Sequence, residues 1–238
     1  MALAADIAER LASVRRRIAA AAERTARSPA DIQLIAVSKT FSADHVRAAA
    51  ASGQRDFGEN RVQEGLEKVD ALATLDLSWH LIGHLQSNKV RKAADAFGWI
   101  HSIDQRDLLD KLDAAAAEIG KTPRVLIQVD LAREPTKHGV REDDVRDLVN
   151  AAVAARAVDL RGLMIVPPFP TDPEDSRPWF RRLREMRDGL IAQGVPADRL
   201  KELSMGMSHD FEVAIDEGAT MVRIGTAIFG SRTLNPKA

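Results

Sequence analysis

The chain has no cysteine and no tyrosine among its 238 residues. Without cysteine there are no disulfides, no thiolate metal ligands and no thiol nucleophile. Without tyrosine there is no phenol to serve as an acid or base. Neither sign of charge dominates, with 34 basic against 35 acidic residues and a formal net charge of −1. That balance gives no reason to expect nucleic acid or an anionic membrane as the main partner. No apolar run approaches the roughly 18 residues that would span a bilayer. Two signatures are missing as well: no H-E-x-x-H appears, and no G-x-G-x-x-G follows the first apolar run. His80 and His84 stand four apart in "HLIGH", on a strand and its exit with Gly83 between them. That is not one helix face, so no metal site is expected there.

Hydrophobic residues make up 45% and charged residues 29%, an ordinary balance for a globular protein with a real core. No linker composition divides the chain, and a single domain over 1–238 is expected. The first segment, "MALAADIAERLASVRRRIAAAAERTARS", is rich in Ala and Arg like a transit peptide, but it carries Asp6, Glu9 and Glu23. Leu3, Ile7, Leu11, Val14 and Ile18 share one face at helical spacing. A packed first helix of a cytoplasmic protein follows.

Beyond it, short apolar runs alternate with amphipathic ones. Strands are expected at 32–39, 56–59, 79–83, 99–103, 124–130, 160–166, 202–205 and 221–229, with helices between them. Ser42 and Ser87 are candidate N-caps, and Gly53 is a candidate stop. Parallel neighbours need crossover helices, so the alternation favours a parallel sheet. Eight units in this length predict an α/β fold, a single (β/α)8 TIM barrel with an extra N-terminal helix. The stretch 166–178 holds five prolines in thirteen residues, which excludes a continuous helix or a central strand. It reads as a rim loop, either a lid or a stiff connection.

In such barrels the site is built at the C-terminal strand ends. Those ends carry Lys39, Glu59 with Asn60, Asp104, Asp130, "SMGMS" (204–208) and "RIGT" (223–226). Small residues let backbone N–H groups approach an anion, and the loops after the seventh and eighth strands are the usual phosphate site of this fold. The eighth strand closes against the first, which sets that site beside Lys39. A lysine next to an anchored phosphate suggests a Schiff base to a phosphorylated aldehyde, and burial in an apolar mouth would lower its pKa in the required direction. The alternative is an ion pair of Lys39 with Glu59 or Asp130.

The segments "LIAVSKT", "GQRDFGENRVQEGLEK", "WHLIGHLQSNK", "LRGLMIV" and "LSMGMSHDFEVAIDEGATMVRIGTAIFG" resemble, in order, those of the YggS/PROSC pyridoxal phosphate homeostasis proteins. The resemblance implies a barrel like the alanine racemase N-terminal domain, binding pyridoxal 5′-phosphate (PLP) at its mouth. It implies that Lys39 forms the Schiff base, and that Ser204, Gly225 and Thr226 hold the phosphate with help from Ser208. Arg223 would face the pyridine nitrogen, and Asn60 would lie close to the cofactor. Arg61 stands where many members have tyrosine.

A racemase of the related fold needs a tyrosine opposite the lysine, on a further β domain. The absence of tyrosine and an end at residue 238 speak against two-base racemisation. Arg223, always a donor, would keep the pyridine neutral and so a weaker electron sink. A PLP carrier or buffer without robust turnover is therefore expected, with PLP-dependent apoenzymes as transient acceptors and the chain as a monomer. Two other readings stay open. One is a PLP enzyme with weak amino-acid activity; the other is a Schiff-base aldolase acting on a sugar phosphate without cofactor. Lys137, in "PTKHG", is a second lysine near the mouth that would pick up PLP during loading or sit solvated. His84 is a candidate pocket residue, whereas His45, His101 and His138 read as surface or satisfied structural residues. The basic stretches "SVRRR" and "RPWFRRLREMR" read as solvated helix faces.

Overall fold

In the computed structural model, residues 2–132 and 138–231 are described. Helix α1 (Ala2–Arg24) buries Ile7, Leu11, Val14 and Ile18 together with Ala21 and Ala22. Burying each of the larger side chains contributes about 1.5–3 kcal/mol over leaving it in water. Leu3, expected on the same face, stays 41% exposed, one turn beyond the packed part of the helix.

Strand and helix then alternate. β1 (Gln33–Val37), α2 (Ala43–Ala51), β2 (Asp56–Glu59), α3 (Val62–Ala71) and β3 (Ser78–Leu81) come first. α4 (Val90–Ala96), β4 (Trp99–Ile103), α5 (Arg106–Ile119) and β5 (Arg124–Asp130) follow. A short β6 (Val140–Arg141) precedes α6 (Val145–Ala154), β7 (Asp159–Ile165), α7 (Arg177–Ala192) and β8 (Glu202–Met207). The last elements are α8 (Phe211–Asp216), β9 (Met221–Ile224) and α9 (Thr226–Phe229). Each pairing is parallel, and β1 bonds to both β2 and β9 while β4 bonds to β5. Eight strands thus close into a parallel barrel ringed by helices, and β6 is a two-residue addition along β5.

Three local expectations change. The run 221–229 does not remain a strand; it stops at Ile224 and turns into α9. Short apolar runs fit both periods, and here Ile228 and Phe229 are buried beside α1 as helical residues. Ser87 lies inside a 3-10 turn instead of capping a helix, and Ser42 takes the N-cap position of α2 but its hydroxyl meets His45 Nδ1 at 3.0 Å and makes no capping bond. The proline-rich stretch ends in a capping box, where Asp172 and Asp175 close a turn that leads directly into α7.

Alternation along the strands sorts side chains into two cores. Ala36, Phe57, Trp79, Leu81, Val222 and Ile224 face the helices, while Ile35, Trp99, Leu126, Met164 and Met221 fill the barrel interior. Above that inner plug the inward positions become polar. The basic helix stretches are occupied by intramolecular partners. Arg17 forks onto Glu212, and Arg177, Arg181 and Arg184 surround the 5%-exposed side chain of Glu217.

Candidate functional site

The same alternation that sends Ile35 inward carries Val37 and Lys39 to the barrel mouth, and carries Arg223 and Gly225 there from β9. They line a cavity of about 600 Å³ at the C-terminal strand ends. Lys39, Asn60, Ser208, Arg223, Gly225 and Thr226 all border it, along with apolar Ile82, Val166, Phe169 and Met207. Six of the seven sequence-predicted site residues therefore meet in one pocket.

The seventh, Ser204, expected at the phosphate, does not border the pocket. It is fully buried beneath the pocket, and its Oγ accepts from Arg223 Nη1 at 2.6 Å. A shift of register between β8 and β9, after Ser204, separates it from the mouth residues Met207 and Ser208. Gly206 makes that shift with φ +89°, and a Cβ there would stand 2.6 Å from Ala214 Cβ. Beyond the shift, Asp210 fixes the turn by accepting from the Met207 N–H at 2.7 Å and from Ser176 Oγ at 2.8 Å.

Ser208 then sits against the start of α9. Its Oγ accepts from the Gly225 N–H at 3.2 Å and the Ala227 N–H at 3.4 Å. Both bonds are long, and a cluster of amide and hydroxyl donors in this arrangement suits an incoming phosphate oxygen. Asn60 enters from the opposite wall. Its backbone passes so close to Gly83 that a Cβ at 83 would lie 2.3 Å from the Asn60 carbonyl oxygen.

Two buried networks carry the cations of the pocket. Under Lys39, Ser38 faces outward and donates to Glu59 Oε1 at 2.6 Å. Lys68, on α3, donates to Glu59 Oε1 and to the Ser38 carbonyl, each at 2.7 Å, and to Glu64 at 2.8 Å. Glu64 in turn accepts from the Thr40 N–H, and Thr40 holds a left-handed φ of +70°. The backbone on both sides of Lys39 is thereby fixed in a conformation uncommon for a threonine. Glu59 faces Lys68, away from the pocket, and burial raises its carboxyl pKa despite the lowering pull of Lys68 and Ser38. Lys68 escaped the sequence reading because a mid-helix lysine ordinarily reads as solvated.

Arg223 is only 4% exposed. Burial lowers its pKa to about 10, so the guanidinium stays charged at neutral pH. Besides Ser204, it donates through Nη2 to the Ile165 carbonyl at 2.8 Å. His101 Nδ1 lies 2.9 Å from Ser204 Oγ, His80 Nδ1 lies 3.1 Å from His101 Nε2, and His80 Nε2 lies 3.1 Å from Asp56 Oδ1. Both rings are fully buried, so His101 is an interior residue bonded on both sides.

His84 does not border the pocket; it stacks on His138 at 3.7 Å with ring planes 10° apart. Their Nδ1 atoms stand 3.8 and 3.9 Å from Asp104 Oδ2, whose carboxyl pKa is raised by burial. An imidazole binds a metal in its own plane at about 2.1 Å, and two nearly parallel planes offer no such common point. At the rim, Phe169 is 81% exposed and stacks on His209, so the proline-rich stretch does border the mouth. Lys137 lies outside the described residues.

A family model described as alanine racemase, N-terminal domain, matches residues 10–233. A relative from Aquifex aeolicus (strain VF5), named pyridoxal phosphate homeostasis protein, is 46% identical over 224 residues, covering 94% of this chain and 97% of its own. The chain belongs to the pyridoxal phosphate homeostasis protein family. The family member from Escherichia coli (strain K12) is 43% identical over 236 residues, covering 98% of this chain and 99% of its own. The solved structure of PipY from Synechococcus elongatus PCC7942, with PLP bound, superposes with a TM-score of 0.84 at 44% identity. That match covers 94% of this chain and 100% of PipY. The barrel expected from strand alternation is thus the barrel of this family.

Proposed function

We propose that this chain, acting as one domain, binds PLP as a Schiff base on Lys39 and serves PLP homeostasis as a carrier or buffer without robust catalysis. The observation that carries the reading is the meeting of Lys39, Arg223 and the Ser208–Gly225–Thr226 wall in one pocket of about 600 Å³. The donor set fits PLP, which needs an amine for its aldehyde, hydroxyls and N–H groups for its phosphate, and a partner for its ring nitrogen. Lys39 supplies the amine, while Ser208, Gly225 and Thr226 hold the phosphate. Arg223 donates to the pyridine nitrogen, Asn60 closes the opposite wall, and Ser204 acts only by holding Arg223. Relatives named for PLP homeostasis and a PLP-bound relative support this assignment.

When bound, PLP supplies an electron sink, and a guanidinium at the ring nitrogen leaves that sink weak because it has no proton acceptor to offer. No tyrosine exists in the chain to act as a second acid–base group. Both features favour holding the aldehyde over turning over a substrate. PLP-dependent apoenzymes are the transient acceptors, and the chain works as a monomer in the cytoplasm. Among the described residues no helix is long and apolar enough to cross a membrane.

Borohydride reduction of the protein after incubation with PLP, followed by peptide mapping, tests the reading. A pyridoxyl group on the Lys39 peptide is expected, and Lys39→Ala should lose both the adduct and the visible band. Adducts only at other lysines, or none, would sink it. Steady turnover of an amino acid that disappears with Lys39→Ala would favour an enzyme. A protein that stays colourless with PLP but cleaves a sugar phosphate would favour the aldolase.

A further inference from the structure

The barrel interior holds a line of polar groups that runs from Arg223 at the pocket to Asp56 at its far end, and its hydrogen bonds have one direction. Arginine has donors only, so Arg223 Nη1 donates and Ser204 Oγ accepts. At the far end, the Asp56 carboxylate accepts from Gln33 Nε2 at 2.8 Å and from His80 Nε2. Burial tends to raise the Asp56 pKa, but the bonds from His80 and Gln33 outweigh it and hold the carboxyl below its usual range. His80 therefore carries its proton on Nε2. Burial lowers the pKa of both histidines, strongly for His101, so each ring is neutral and has one donor and one acceptor. With Nε2 of His80 protonated, its Nδ1 must accept, and the donor is His101 Nε2. His101 Nδ1 must then accept as well, and the donor is the Ser204 hydroxyl. Every proton along the line points from Arg223 toward Asp56.

The rings cannot easily leave this arrangement. His80 stacks on Trp99 at 5.6 Å with planes 8° apart, and His101 meets the edge of Trp99 at 60°. A flip of either ring would replace a nitrogen by a carbon and break the line.

We propose that Asp56, His80, His101 and Ser204 are positioning residues, a one-way hydrogen-bond chain that holds Arg223 as a donor toward the ring nitrogen of the bound cofactor. The inference rests on the reading that Arg223 faces that nitrogen. Ser204 is held as an acceptor for Arg223 because its own proton is committed to His101. Asp56 ends the line at its far side, whereas the carboxylate whose charge acts directly on Arg223 is Asp210, which also borders the pocket.

The test uses the full chain with His101→Leu, His101→Asn, Arg223→Leu and the His101→Leu/Arg223→Leu double variant. PLP is titrated into each while the visible band is followed, and thermal unfolding is recorded alongside. His101→Leu should weaken PLP binding about tenfold, the scale of one lost hydrogen bond to a charged group, and should move the band. His101→Asn, whose amide oxygen can take over the acceptor role of Nδ1, should recover most of the affinity and the band position. In the Arg223→Leu background, His101→Leu should add nothing. Nitrogen NMR of the protein without PLP should find both rings neutral with the proton on Nε2.

Wild-type affinity and band in His101→Leu would overturn the proposal. So would equal losses in the Leu and Asn variants, a full additional loss in the Arg223→Leu background, or a proton on His101 Nδ1. Wild-type protein that takes up no PLP would sink the cofactor reading and this inference with it. Normal wild-type uptake with an indifferent His101→Leu sinks the inference alone.

Discussion

The two cations of the pocket stand on opposite kinds of foundation. Beneath Lys39, between barrel and helix α3, the network is fully charged, with Lys68 set between Glu59 and Glu64. Beneath Arg223, inside the barrel, two neutral imidazoles and a hydroxyl separate the guanidinium from the Asp56 carboxylate. The outer network has α3 and the nearby Ser38 backbone to satisfy its charges, at short range. Even so, Glu59 Oε2 finds no partner among the described residues. The inner plug of Ile35, Trp99, Leu126, Met164 and Met221 offers nothing to solvate an ion. Charge is therefore kept to the two ends and neutral donor–acceptor groups fill the middle. Desolvation explains the difference, since a buried ion needs compensating partners at close quarters whereas a neutral ring needs only one donor and one acceptor.

The outer network should break hardest. Lys68→Met leaves Glu59 buried without its counter-ion and should cost about 3–5 kcal/mol in urea unfolding. The pH dependence has a definite sign. A carboxyl whose folded pKa lies above its unfolded value binds more protons when folded, so its penalty grows as pH rises through that window. Burial already raises Glu59, and removal of Lys68 raises it further. The gap between variant and wild type should therefore narrow as pH falls from 7 toward 5. A gap that does not change with pH would show that Glu59 is not the source.

Removing the hydroxyl of the inner chain should cost less. Ser204→Ala strips one bond each from Arg223 and His101, for about 1–3 kcal/mol by urea unfolding. Asp56→Asn should act on pH dependence more than on stability at neutral pH. Its folded pKa is depressed, so the stabilisation it gives is present near neutrality and is lost as pH falls through that depressed value. Acid unfolding of Asp56→Asn should lack that component. The smallest effect belongs to an exposed pair outside both networks. Arg106→Ala, which removes the i,i+4 pair with Asp110, should change stability by no more than about 0.5 kcal/mol.

How legible the molecule is in its sequence depends on how local each feature is. Alternation is local, so "LIAVSKT" already sends Ile35, Val37 and Lys39 to one side, and "MVRIG" does the same for Arg223 and Gly225. Both stretches fall where barrel logic expects a mouth, and the pocket contains them. The two-residue β6 is too short to show a period, and α9 hides in an apolar run that fits either period. Lys68 reads as a solvated helix residue because its decisive partner, the Ser38 carbonyl, is 30 residues away. The family resemblance implies a phosphate contact for Ser204. Only the register shift at β8 shows that its hydroxyl lies under the pocket with Arg223.

The sequence by itself determined the barrel, the inward set of each strand and the residues gathered at its mouth. Periodicity, turn residues and the absence of tyrosine are properties of the chain alone. Tertiary structure decided the partners: Lys68 for Glu59, Ser204 for Arg223, and His101 for a serine 103 residues further on. Alternation tells which way a side chain faces, but a hydrogen bond of about 3 Å depends on how the closed ring sets one strand against another. No local stretch of the chain encodes that closure.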